Sequence, residues 1–157
     1  MTYPVEIRDQ PGLRLAALLH VGPYDELGRS YERLAELFSA RGLWPAVRGR
    51  ASVALDDPDV TPAAKLRSYA GHIVDENLQI EPPLQELRLA PGRHAVMTYT
   101  GPYAGLAAAY QQLFGVWLPQ SGEKPGDAPV YETYLNTPGD APPEALITEI
   151  CLPLRTA

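Results

Sequence analysis

Apolar and polar positions alternate in short runs through this chain, and twice the period changes from two to about three and a half. Leu13 to Val21 reads as a strand, and Leu27, Tyr31, Leu34 and Phe38 then fall at i, i+4, i+7 and i+11, the stripe of a half-buried helix. Ala51 to Leu55 and Leu66 to Val74 return to strand patterning, with the turn Asp56-Asp57-Pro58 between them. The same series recurs downstream: a strand over His94 to Thr100, a helical stripe at Leu106, Tyr110, Leu113 and Trp117, then strands over Val130 to Leu135 and Ala145 to Leu152 around Asn136-Thr137-Pro138. Gly42 suits the C-terminus of the first helix, and Pro119 is expected to stop the second.

The recurrence is a sequence repeat. Gly22-Pro23-Tyr24 returns as Gly101-Pro102-Tyr103, and 6 of the 17 positions from there to Phe38 and Trp117 are identical. Val5-Glu6-Ile7-Arg8 before Pro11-Gly12 matches Gln85-Glu86-Leu87-Arg88 before Pro91-Gly92. The expected architecture is α+β: one domain over residues 1–157 built from two strand-helix-strand-strand units, about 3–76 and about 84–154. Its features are a pseudo-twofold, a mainly antiparallel sheet with helices on one face, and a central ligand cleft. Asp75 to Pro83, ending in Pro82-Pro83, is the expected joint.

Where the two copies differ, a pocket can acquire chemistry. Aligning the third strands at an offset of 80 sets Ser52 against Glu132 and Ala54 against Tyr134. Alternation places Glu132 and Tyr134 on one face, so one copy offers room and the other a carboxylate beside a phenol. In the last strands Tyr69 aligns with Glu149 and His72 with Leu152. A structural reading stands beside each of these. Glu132 also fits a solvated or ion-paired strand residue, Glu149 a structural pair, and Tyr134, Tyr69 and Trp117 simple packing.

The charge balance narrows the classes. The net charge is −6, with −2 over residues 1–79 and −4 over residues 80–157, and no basic run appears. Direct nucleic-acid binding is therefore not expected. An acidic field favours cationic ligands, and 9 tyrosines with 2 tryptophans supply flat faces for them. No apolar run approaches the roughly 20 residues of a membrane span, and the single cysteine fits a reducing cytoplasm. His20, His72 and His94 lack ligand spacing, so neither a metal nor a cofactor is expected. Cys151, flanked by Ile150 and Leu152, reads as a buried inert thiol. Ser121 has no Gly-x-Ser-x-Gly elbow, and Asp56, Asp57 and Asp59 lack the rest of an EF-hand loop.

In their order and spacing, several segments resemble the GyrI-like family, the small-molecule-binding domain also found at the effector end of AraC-type and MerR-type regulators. They are the doubled Gly-Pro-Tyr, Asp56-Asp57-Pro58 with Lys65 to Tyr69, Trp117 to Gly122, Val130 to Pro138, and Thr148-Glu149-Ile150 before Leu152-Pro153-Leu154. The resemblance implies that Glu132 is the pocket acid, facing cationic aromatic compounds among tyrosines. The expected ligand-binding set is Glu132, Tyr134, Tyr69, Trp117, Tyr24 and Tyr103. Stand-alone relatives implied by the same resemblance hydrolyse cyclopropane-bearing alkylating agents; in that reading Glu132 and Tyr69 are catalytic. Another relative protects DNA gyrase, which makes a protein partner the third expectation. Two departures stand out. Glu123 occupies a position that is often aromatic in the family, and Val5 already begins the first strand, so no DNA-binding segment is expected upstream.

Overall fold

The computed structural model describes residues 2–156. It divides into two compact units, one over Gly12–Ala90 and one joining the chain up to Pro11 with the chain from Pro91 onward. Both are α+β, with antiparallel strands and a helix on one face.

In the first unit β2 (Leu13–Val21) pairs with β4 (Arg67–Val74), and β4 with β3 (Val47–Ala54). The helix α1 (Leu27–Arg41) buries Tyr31, Leu34 and Phe38, three of its four stripe residues, and Gly42 closes it in the left-handed conformation at φ 67°. The second unit repeats this plan. β6 (Gly92–Thr100) pairs with β8 (Ile147–Pro153), and β8 with β7 (Tyr131–Tyr134). Its core joins Ala95, Met97, Tyr99, Ile150 and Leu152 of the sheet to Ala109 and Leu113 of the helix.

The single strand expected ahead of each helix is two strands. β1 (Val5–Gln10) precedes β2, and β5 (Gln85–Leu89) precedes β6, each divided from its successor by a proline-glycine or alanine-proline break. Their pairing crosses the repeat boundary. β1 hydrogen-bonds to β6, with Ile7 opposite Ala95, and β5 to β2, with Leu87 opposite Leu15. Each sequence repeat thus places its opening strand in the sheet of the other.

Pro119 does not end the second helix. α2 (Leu106–Gln112) runs into a π turn over Leu113–Trp117 and a last α turn over Leu118–Ser121, capped by Gly122 at φ 76°. The π turn restarts the hydrogen-bond register, so the proline falls in a new first turn, where its missing N–H is not needed.

The two Gly-Pro-Tyr segments are built alike. Gly22 and Gly101 have φ of 135° and 148°, and their amides donate to the carbonyls of Leu66 and Leu146 at 2.7 and 2.8 Å. The turns also match: the Asp56 carboxylate accepts from the Arg67 amide at 2.9 Å, and the Asn136 side chain accepts from the Ile147 amide at 2.8 Å.

A local difference follows from one substitution between the copies. Tyr99 stands where the first copy has His20. Its hydroxyl donates to the Pro102 carbonyl at 2.6 Å and lies 2.1 Å from where a Cβ on Gly105 would be. Gly105→Ala is therefore expected to cost about 1–3 kcal/mol, because the buried ring must shift. Tyr99→Phe in the same chain should recover part of that loss. Urea denaturation of both singles and the double measures the coupling; strictly additive losses would show that the hydroxyl is not the obstacle.

Candidate functional site

Glu132 and Tyr134 share a face of β7, as alternation requires. The cross-strand partner of Glu132 is Ile150, which packs with Ala109 and Leu113 from the helical segment, so this is the face that carries the helix. Both oxygens of the carboxylate are hydrogen-bonded. The Tyr110 hydroxyl of α2 donates to Oε2 at 2.5 Å, and the Tyr134 hydroxyl donates to Oε1 at 2.8 Å. The result is a half-buried carboxylate held between two phenols, with Ile150 opposite it on the neighbouring strand.

Rings extend the arrangement. Tyr103 meets Tyr134 edge to face at 5.8 Å and 72°, and Tyr110 stacks on Phe114 at 6.2 Å and 5°. Phe114 lies in the π turn, and Trp117 ends that turn, half-buried against the core. Inserting one extra residue into a helical turn re-aims the side chains that follow.

Burial pushes the Glu132 carboxyl above its ordinary value of 4.5, while the hydrogen bonds from Tyr110 and Tyr134 pull it back down. With a folded value above the unfolded one, Glu132 adds stability below the unfolded value and loses it as pH rises through the folded one. Glu132→Gln, which cannot ionise, should therefore gain on the native chain in stability as pH rises toward neutrality. That advantage should shrink toward pH 4.5. Thermal denaturation across this pH range checks it; a variant that loses ground to the native chain as pH rises would mean that the two phenol bonds outweigh burial.

The six expected ligand residues do not all share one set of contacts. Glu132, Tyr134, Tyr103 and Trp117 belong to the second unit, and Tyr24 and Tyr69 to the first. The Tyr24 hydroxyl lies 2.5 Å from the Asp56 carbonyl and 3.1 Å from that of Arg67, pinning the turn before β4. Tyr69 donates to the Gln85 side chain at 3.0 Å. Glu149 takes the structural role: Arg8 donates to it at 2.7 Å, and the carboxylate is largely buried. Cys151 is fully buried, and its thiol is pushed up to about 12, chiefly by burial. Glu123 forms a two-bond pair with Arg93 at 2.8 and 3.0 Å.

Tyr110 went unmarked by the sequence. Its counterpart Tyr31 is the same residue, so comparing copies for differences passes over both. Their surroundings carry the difference. Tyr31 donates to the Ala51 carbonyl at 2.8 Å, and the Arg50 guanidinium lies 3.7 Å over its ring. One helix tyrosine thus meets a cation and the other an anion. The readable signal was the partner strand, Ser52 in one copy and Glu132 in the other.

No helix among the described residues is long and apolar enough to cross a membrane. The DNA gyrase inhibitor of Yersinia enterocolitica is 29% identical over 137 residues, covering 83% of this chain and 84% of that protein. The probable transcriptional regulator YgiV of Escherichia coli K12 is 28% identical over 156 residues, 98% of each chain. Among solved structures, the C-terminal domain of EcmrR superposes with a TM-score of 0.80 at 15% identity, covering 100% of both chains. A hydrolase from Listeria innocua gives 0.67 at 13% identity, covering 98% of this chain and 93% of that one. SAV2435 bound to tetraphenylphosphonium gives 0.67 at 16% identity, covering 99% and 94%. These structures share the fold. The profile of the GyrI-like small molecule binding domain matches residues 3–155, the span that holds both repeats and the glutamate between its tyrosines. By that match, and with the doubled strand and helix pattern built as the repeat demands, this chain belongs to the GyrI-like small-molecule-binding family.

Proposed function

We propose that this chain binds planar hydrophobic cations, with Glu132 as the anionic anchor and Tyr134, Tyr103 and Tyr110 as its aromatic surround. The observation that carries the reading is the carboxylate itself, drawn out of water on the helix-bearing face of the strand and held on both oxygens by phenols. A carboxylate so placed is costly to ionise alone. A bound cation offsets that cost, and stacking on the rings adds cation–π attraction without demanding one hydrogen-bond pattern. Selectivity would then be broad. A structural neighbour is bound to tetraphenylphosphonium, a hydrophobic aromatic cation though not a planar one, and through the shared fold this supports the charge and apolar character of the ligand class. The test is titration of tetraphenylphosphonium by calorimetry against the native chain and Glu132→Gln.

A second reading uses the same carboxyl as an acid or base. Its raised pKa and two flanking phenols suit proton transfer to a leaving group, with the phenols steadying the charge that develops. Chromatography of a cyclopropane-bearing alkylator incubated with native chain, Glu132→Gln and buffer separates the two. Ring opening faster than buffer, lost in the variant, would make the chain a hydrolase; binding without turnover keeps it a binder.

A further inference from the structure

We propose that β1 is a self-complementary edge through which two copies of this chain pair, antiparallel and centred on Ile7.

The backbone sets the register. The Thr98 amide donates to the Pro4 carbonyl at 3.0 Å. In an antiparallel ladder, alternate residues face opposite sides. Glu6, Arg8 and Gln10 therefore turn their peptide groups to β6, and Val5, Ile7 and Asp9 turn theirs outward. Among the described residues, β1 pairs with β6 alone. A second β1 laid against that edge about a twofold at Ile7 sets Ile7 opposite Ile7 and Val5 opposite Asp9, each as a hydrogen-bonded pair.

The side chains agree with this register. Glu6 then faces Arg8 of the second copy in a close, non-hydrogen-bonded pair, and the twofold makes that contact twice. Glu6 is 65% exposed, so its carboxylate can reach across. Arg8 uses Nε on Glu6 and Nη1 on Glu149, each at 2.7 Å, which holds the guanidinium at the strand with Nη2 to offer. Ile7 is 44% exposed, an apolar residue at the centre of the pairing.

β5 carries the same acid-apolar-base pattern at Glu86, Leu87 and Arg88, and also lies outermost in its unit. It is the poorer edge. Leu87 is half-buried, Glu86 is drawn to Arg14 at 2.6 Å, and Arg88 makes two bonds to Glu76 at 3.0 and 2.8 Å. Pro4 and Pro11 confine the β1 pairing to six residues, too short to propagate. So small a contact stays below the roughly 1,200 Å² of a stable complex, and a reversible dimer with Kd on the order of 10–100 µM is expected.

Sedimentation equilibrium from about 5 to about 500 µM, at about 150 mM salt, tests it. The native chain should dimerise. Glu6→Arg and Arg8→Glu, each alone, place like charges opposite one another and should weaken association at least about tenfold. Mixed together, the two variants should pair with each other, since every cross-strand contact is again acid to base. That rescue also shows that both variants are folded. A native chain that stays monomeric throughout overturns the proposal. So does a dimer indifferent to both variants, or one abolished by Leu87→Lys, which would place the contact on β5.

Discussion

Replacing Glu132 by glutamine should weaken tetraphenylphosphonium binding on the order of 100-fold at neutral pH. A cation about 6–8 Å from an ionised carboxylate, at an effective dielectric constant of about 20, gains about 2–3 kcal/mol over the neutral amide, or one to two powers of ten in Kd. Stacking is untouched by the change, so a residual affinity should survive. Tetraphenylphosphonium carries no hydrogen-bond donor, which makes it a clean probe: the two phenols keep both oxygens while the cation supplies only charge and rings. The native affinity should also fall as pH drops through the raised pKa of Glu132, whereas the variant's should stay flat. Tyr110→Phe removes one of the two bonds that favour the ionised form, so it should move that fall to higher pH and leave affinity in alkali nearly unchanged. Equal affinities of native chain and Glu132→Gln would remove the carboxylate from the site.

Phe38→Ala should destabilise the protein by about 3–5 kcal/mol, the usual loss for a fully buried ring that leaves a cavity. Phe38 has no exposed surface, and it meets His72 at 4.8 Å and Trp44 at 5.5 Å, so no single neighbour can fill the space it leaves. At roughly 2–4 °C per kcal/mol for a chain of this size, the melting temperature should fall on the order of 10 °C. Trp117→Ala, at the matching position of the other copy, should cost less, because that ring is only half-buried. Circular dichroism of both variants in urea decides the order. A Phe38→Ala loss below that of Trp117→Ala would mean that the π turn, rather than the continuous helix, anchors its sheet.

Much of this was legible because the chain states its plan twice. Periodicity located both helices and the strands that follow them, and alternation placed Glu132 beside Tyr134. What periodicity cannot state is hydrogen-bond partnership. Val5–Gln10 and Gln85–Leu89 match in sequence, yet nothing in their residues says that each joins the other repeat's sheet. The π turn was hidden for a related reason. Proline after Trp117-Leu118 reads as a stop, and only the hydrogen-bond register shows that it opens a new turn. Tyr110 was hidden by its own identity with Tyr31. Tyr24 and Tyr69 had no partner in view until Asp56 and Gln85 were brought to them by the fold.

The crossed pairing of β1 and β5 bears on how such a chain could have arisen. A gene encoding one repeat would make a product whose second strand lacks its outer neighbour, because that neighbour is supplied by the other repeat. Two such products could complete each other only by lending their opening strands, an exchange that fixes the assembly at two subunits. Tandem fusion of that gene would turn an exchange between molecules into a fold-back within one. The concentration of the second half would then no longer limit folding. It would also release the two copies to diverge, which an obligate pair of identical subunits cannot do. A lone glutamate in one copy, at the position where the other has a serine, is the kind of asymmetry that becomes possible only after fusion.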